Sequence, residues 1–219
     1  MLKFGLACEG VTDQAVIENI LCGFYKDKAL KKEIKAFQPL FDSTQQKQLE
    51  GEFGGWEELL RHLSTKRFRL SVINTQYMII QIDTDISEHI NFGVSQHNLS
   101  TEEFIIKIIE RLVVEIDSKK EFYEKHKDKI IFAISVHSLE CWILPLFKDI
   151  KKEEILNCAK TLNYTMTRLP NKSRLDTRKN YKNYDKLSQK FLKYKELIKI
   201  KSKNTSFEIF INVLPKEIT

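Results

Sequence analysis

The chain has 219 residues, 42% hydrophobic and 30% charged, with a formal net charge of +6. That is the composition of a globular domain with a core of its own, and it excludes a disordered chain or a small fold that needs staples. Apolar runs such as "YMIIQI" and "IIFAISV" are of strand length, well short of the roughly 20 residues of a membrane helix, so no membrane span is expected.

In chain order, "LKFGLAC" (2–8) reads as a strand, and Thr12 as the N-cap of a helix over about 13–27 with Ala15, Val16, Ile20 and Phe24 on its apolar face. A second strand is expected at 33–41, its end bent or exposed at an edge by Pro39. After the connector "STQQKQLEGEFGG" a helix is expected over 56–66. Residues 77–82 form an apolar run without alternation, the pattern of a strand buried on both faces in a parallel sheet. Ser100 and Glu103 make a capping box for a long helix over 101–125, and 130–136 is a further buried strand. Beyond 137 the chain reads as helical, apart from the basic loop "RLPNKSRLDTRKNYKNY" (168–184).

The alternation of strands and helices predicts an α/β fold: a mostly parallel, four-stranded, Rossmann-like sheet flanked by helices (1–147), with a helical basic C-terminal extension (148–219) packed on it. Residues 151–219 carry 17 Lys and Arg against 7 Asp and Glu, whereas 1–150 carry 19 against 23. Such asymmetry suits a polyanionic partner, and equally suits a solvated lysine-rich surface.

The N-terminus has no basic region followed by a long apolar stretch, so a cytoplasmic protein is expected. Cys8, Cys22, Cys141 and Cys158 are scattered without a CxxC pair and read as reduced, core-filling thiols. The five histidines show no ligand spacing, and His137 and Ser135 lack a third group to make a nucleophile. Neither a phosphate-binding G-x-x-x-x-G-K loop nor a G-x-G-x-x-G turn is present. Trp56 and Trp142 read as core.

The carboxylates carry the chemistry. Ligands of open α/β sheets sit at the carboxyl ends of the strands, where Glu9 follows the first strand and Asp83 and Asp85 follow the third. An extended D-x-D would present both carboxylates on one face. Acids without histidine or cysteine make a hard-oxygen site suited to Mg²⁺ or Mn²⁺. Each acid also has a plainer reading: Glu9 as a solvated strand end, Asp83 and Asp85 as turn formers, Asp13 and Glu140 as first-turn residues favouring a helix dipole.

"EGVTD" after the first strand and "DTD" after a later one resemble the signature acids of the TOPRIM fold of topoisomerases, primases, small ribonucleases and overcoming-lysogenization-defect nucleases. "SLECWILPLF" resembles the Glu-x-Trp helix of small stand-alone TOPRIM-like proteins of bacterial defence loci. "NYDKL" and "NTSFEIFINVL" resemble that group's Tyr-x-Lys and terminal Ser-Phe elements. Pro145, within the Glu-x-Trp stretch, departs from an uninterrupted helix.

The resemblance implies that Glu9, Asp83 and Asp85 hold Mg²⁺ or Mn²⁺, that Glu140 completes the site or serves a second ion, and that Lys186 steadies phosphate charge. It implies a metal-dependent nuclease acting on DNA or RNA, transfer RNA included, as an anti-phage effector. The alternative it implies is a partner-dependent effector, or a nucleic-acid-binding adaptor, of an ABC- or SMC-like ATPase.

Overall fold

The computed structural model describes residues 2–39, 55–150, 157–171 and 174–218. Four strands, β1 (Leu2–Cys8), β2 (Ile34–Gln38), β3 (Thr75–Asp83) and β4 (Ile130–Ser135), form one sheet in the order β2-β1-β3-β4, every neighbouring pair parallel. β2 is an edge strand that stops at Gln38, before Pro39, which has no N–H to give a ladder. The rest of the strand expected to reach 41, and the connector up to residue 54, lie outside the described residues.

The chain leaves β1 for β2 on one side and then crosses to β3 on the other. The β1/β3 pair is therefore the point where strand order reverses, and the carboxyl ends there open a crevice. Alternate residues of the central strands feed two cores. Phe4, Leu6 and Ile79 face the side covered by α1 (Val11–Phe24), while Ala7, Met78, Ile80 and Ile82 face the side covered by α2 (Trp56–Leu63), α3 (Lys66–Asn74) and α4 (Thr101–Ile116).

Thr12 is not the cap of α1. The N-cap is Gly10, and the Asp13 carboxylate takes the place of a capping side chain by accepting from the Gly10 N–H at 2.7 Å. The expected box on α4 is present: Ser100 Oγ accepts from the Glu103 N–H, and Glu103 Oε2 from the Ser100 N–H. The long helix expected to 125 breaks after Ile116, because the Asp117 carboxylate captures the N–H groups of Lys119 and Phe122; α5 (Glu121–His126) follows. α3, absent from the sequence expectation, starts at Thr65, whose hydroxyl accepts from the Phe68 N–H.

After β4, α6 (Glu140–Ile143) is one turn long and tightens into a 3-10 turn over Leu144–Leu146, where Pro145 cannot donate to the helix ladder. α7 (Cys158–Arg168) follows; the earlier part of the helix expected there, 151–156, lies outside the described residues. α8 (Tyr181–Ser188), α9 (Tyr194–Lys201) and α10 (Thr205–Val213) complete the chain. Leu187, Phe191, Leu197, Ile200 and Phe207 share one core with α1, β1 and Trp142.

α8 runs alongside α1 in the same direction. Tyr181 donates to Glu18, Asn19 Nδ2 donates to the Asp185 carbonyl at 2.9 Å, and further on the Phe191 carbonyl lies where a Cβ on Gly23 would approach within 1.8 Å. Only glycine allows that approach. The start of α8 is thus held at the end of the domain where α1 begins.

A disulfide joins Cys141 and Cys158, correcting the expectation that all four cysteines are free thiols; Cys8 and Cys22 are free and buried. The packing of α6 against α7 brings the two Cα atoms to 5.0 Å, a proximity that the 17-residue separation does not announce. No helix among the described residues is long and apolar enough to cross a membrane.

Candidate active site

The carboxyl ends of β1 and β3 gather acids. β3 ends at Asp83, which is buried, and its Oδ1 accepts from Gln81 Nε2 at 3.0 Å, Ser135 Oγ at 2.8 Å and the Leu139 N–H at 3.0 Å. Gln81, buried in the sheet itself, also takes the Glu9 N–H through Oε1 at 3.5 Å. Glu9 lies just past β1, and its Oε2 accepts from the Asp83 N–H at 3.4 Å. These bonds join three strand ends into one rigid edge.

Asp85 does not share a face with Asp83 through the pleat of a strand, because β3 has already ended and Thr84 begins a turn. That turn is tied to the end of β4: the Thr84 N–H donates to the Ser135 carbonyl, the Asp85 N–H to the His137 carbonyl, and the His137 N–H to Thr84 Oγ1. His137 sits at φ +66°, a left-handed conformation held by this double tie. The result is an exposed Asp85 at the rim of the crevice, above a buried Asp83.

Glu140 is 2% exposed. The N-cap of its helix is Leu139 rather than Ser138, and the Leu139 N–H is the one that Asp83 captures. The buried Tyr184 hydroxyl donates to Glu140 Oε1, while Oε2 is buried without a hydrogen-bond partner. Lys179 Nζ stands 3.9 Å from Glu140 Oε1, its side chain 70% exposed at the mouth.

Lys186 is elsewhere. Two positions beyond Tyr184, it projects from the other side of α8, exposed, with α8 leading away from the acidic edge. Lys179 is the lysine that the described residues place beside the acids. Its only sequence signal was membership of the basic loop 168–184, in which nothing distinguishes one cation from another.

The electrostatics register the crowding. Burial, with Asp85 and Glu140 adding repulsion, pushes Glu9 up to about 7. Burial and the charge of Glu9 push Asp13 up to about 8, so this helix-capping acid belongs to the same cluster. Burial, then Asp13, Glu9 and Glu140, hold Asp83 well above the usual carboxylate range, and burial raises Asp85 too. Glu140 is the exception: burial works to raise it, but the hydroxyls of Tyr184 and Ser138 and the charge of Lys179 leave it below its ordinary value. Lys179 is held protonated against the cost of burial by Glu140, Asp83, Asp13 and Glu9.

Among the described residues, five carboxylates therefore share one edge with Lys179. Like charges so placed either take up protons or accept a cation between them. The donor set is all oxygen, and Glu140 Oε2 is buried without a hydrogen-bond partner; both fit a hard divalent ion. Among the described residues no three His, Cys, Asp or Glu side chains are arranged to close on a single ion.

The fold and site define a parallel α/β domain with an acid-lined crevice at its strand-order reversal. No family model matches the chain, and neither a curated protein nor a solved structure does.

Proposed function

We propose that this protein is a divalent-metal-dependent nuclease of TOPRIM type, hydrolysing phosphodiester bonds of DNA or RNA as an anti-phage defence effector. The observation that carries the reading is the convergence of Glu9, Asp13, Asp83, Asp85 and Glu140 on one edge, with Lys179 at its mouth. The order of the matching sequence elements supports it further.

In this reading Glu9, Asp83, Asp85 and Glu140 hold Mg²⁺ or Mn²⁺. Such an ion, when bound, would supply Lewis-acid polarisation of a phosphoryl oxygen and a more acidic water. The residues of the chain do the rest. Gln81, Ser135 and the Leu139 N–H fix the Asp83 carboxylate. Tyr184 occupies Glu140 Oε1, leaving Oε2 as the oxygen that would serve a cation. Lys179 contributes positive charge where the phosphate gathers negative charge. Water oxygen bonds to phosphorus as the bond to the leaving oxygen breaks, and the proton the water gives up is balanced by the one the leaving oxygen takes; no side-chain nucleophile is required.

The test incubates plasmid, single-stranded DNA and total RNA with wild type and Asp83→Ala/Asp85→Ala, each with Mg²⁺, Mn²⁺ or chelator. Cleavage confined to wild type with metal is expected. Cleavage that persists in chelator, or in the double variant, refutes the reading.

One observation favours a second reading, an effector that works only within a larger assembly such as one containing an ABC- or SMC-like ATPase. Among the described residues the acids are gathered but not closed into a chelate, an arrangement that a partner or substrate could complete. Metal binding without cleavage, and cleavage on adding the partner, is the result this reading expects.

A further inference from the structure

α7 carries a stripe that the catalytic reading leaves unused. Lys160, Tyr164 and Arg168 recur at intervals of four, so they stand one above another on one face of the helix. All three are exposed, Tyr164 to 54%, whereas Cys158, Leu162 and Met166 on the opposite face are buried. The Arg168 guanidinium lies 4.6 Å from the centroid of the Tyr164 ring. α7 contains no Asp or Glu. An exposed aromatic between two cations, one already stacked on it, is a surface with planar faces and positive charge but no enclosing pocket.

Two ties bring this face near the acidic crevice. The disulfide fixes the first residue of α7 to Cys141, the neighbour of Glu140. Thr177 Oγ1 donates to Asn163 Oδ1, and two residues after Thr177 comes Lys179, which reaches Glu140. With the cysteine Cα atoms 5.0 Å apart, Tyr164 lies no more than about 18 Å from Glu140 at the Cα level. The intervening segment 174–182 adds Arg174, Arg178, Lys179 and Lys182 against Asp176 alone.

We infer that the outer face of α7 is a stacking platform for single-stranded nucleic acid, feeding an unpaired strand toward the acidic crevice. A base lies on the Tyr164–Arg168 stack, and phosphates follow Lys160 and the basic segment to Lys179. A face that worked by charge alone would favour duplex, whose charge density is greater. Stacking on an exposed ring needs bases whose faces are free, which only an unpaired strand offers. The inference rests on the proposed action on nucleic acid and narrows its substrate.

The test is fluorescence anisotropy in chelator, where no cleavage occurs, with a labelled oligothymidylate of about 20 nucleotides and the same strand annealed to its complement. Tighter binding of the single strand is expected. Tyr164→Ala, at an exposed position, should weaken single-strand binding about five- to hundredfold and leave duplex binding unchanged, with Tyr164→Trp restoring it. Equal or tighter duplex binding, or indifference to Tyr164→Ala, overturns the platform and leaves the nuclease reading standing. Binding of neither form overturns the platform, and the cleavage panel decides the nuclease reading separately.

Discussion

At the scale of single residues, the acidic edge works by contrast between pinned and free side chains. Asp83 Oδ1 has three donors, Glu140 Oε1 has Tyr184, and Glu140 Oε2 has none. Glu9 and Asp83 could be placed on one edge from the sequence because strand ends in a parallel sheet have one address, whereas Asp85 reaches it through the turn that Thr84 begins. Asp13 was assigned to the helix dipole, and it does cap α1, but its other role depends on Glu9 lying beside it. Lys179 was not legible, since only the packing of α8 along α1 selects it from its basic neighbours. The two lysines therefore separate the account cleanly. Lys179→Ala should lower kcat/KM by about a hundredfold, the scale of losing one charge-stabilising group, while Lys186→Ala should leave it unchanged. A steady-state comparison on the cleaved polymer checks this, and equal losses in both variants would contradict the assignment.

At the scale of elements, strands were read well because continuous apolar runs such as "YMIIQI" have few other uses in a parallel sheet. Helix ends were read less well. Asp117 and Pro145 interrupt helices through local competition for backbone hydrogen bonds, of which only the proline is conspicuous in sequence. The disulfide was misread because cysteine spacing says nothing about two helices packing edge to edge. Its consequence is that α6, which carries Glu140, is stapled to α7. Closing a loop of this length is worth about 3 kcal/mol in the chain-entropy account. Cys141→Ser should lower unfolding stability in denaturant by about 2–4 kcal/mol relative to the oxidised protein. Maleimide labelling of unfolded, unreduced protein should modify Cys8 and Cys22 alone; labelling of all four cysteines would show that the bond does not form.

At the scale of the whole molecule, the sheet and the C-terminal helices form a single support for a cluster of like charges. Glu9 at about 7 and Asp13 at about 8, against ordinary values of 4.5 and 3.8, mean that the folded protein binds more protons than the unfolded chain between about pH 4 and 8. Their contribution to stability is complete below the ordinary values and is lost as pH rises through the folded ones. Asp83 and Asp85, also raised, act in the same direction. In chelator, thermal melts should therefore show a midpoint that falls between about pH 4 and 8. Mg²⁺ should flatten that fall, because a cation among the carboxylates stabilises their ionised forms. A midpoint that rises over the same interval would mean that the acids do not share the edge as described.

The central claim is that these carboxylates form a divalent-metal site, and calorimetric titration of Mn²⁺ into the purified protein tests it most directly. Saturable binding is expected for wild type, with release of protons near neutral pH as Glu9 ionises, and it should vanish in Asp83→Ala/Asp85→Ala that still melts cooperatively. No saturable heat in wild type, or the same heat in the double variant, would contradict the account.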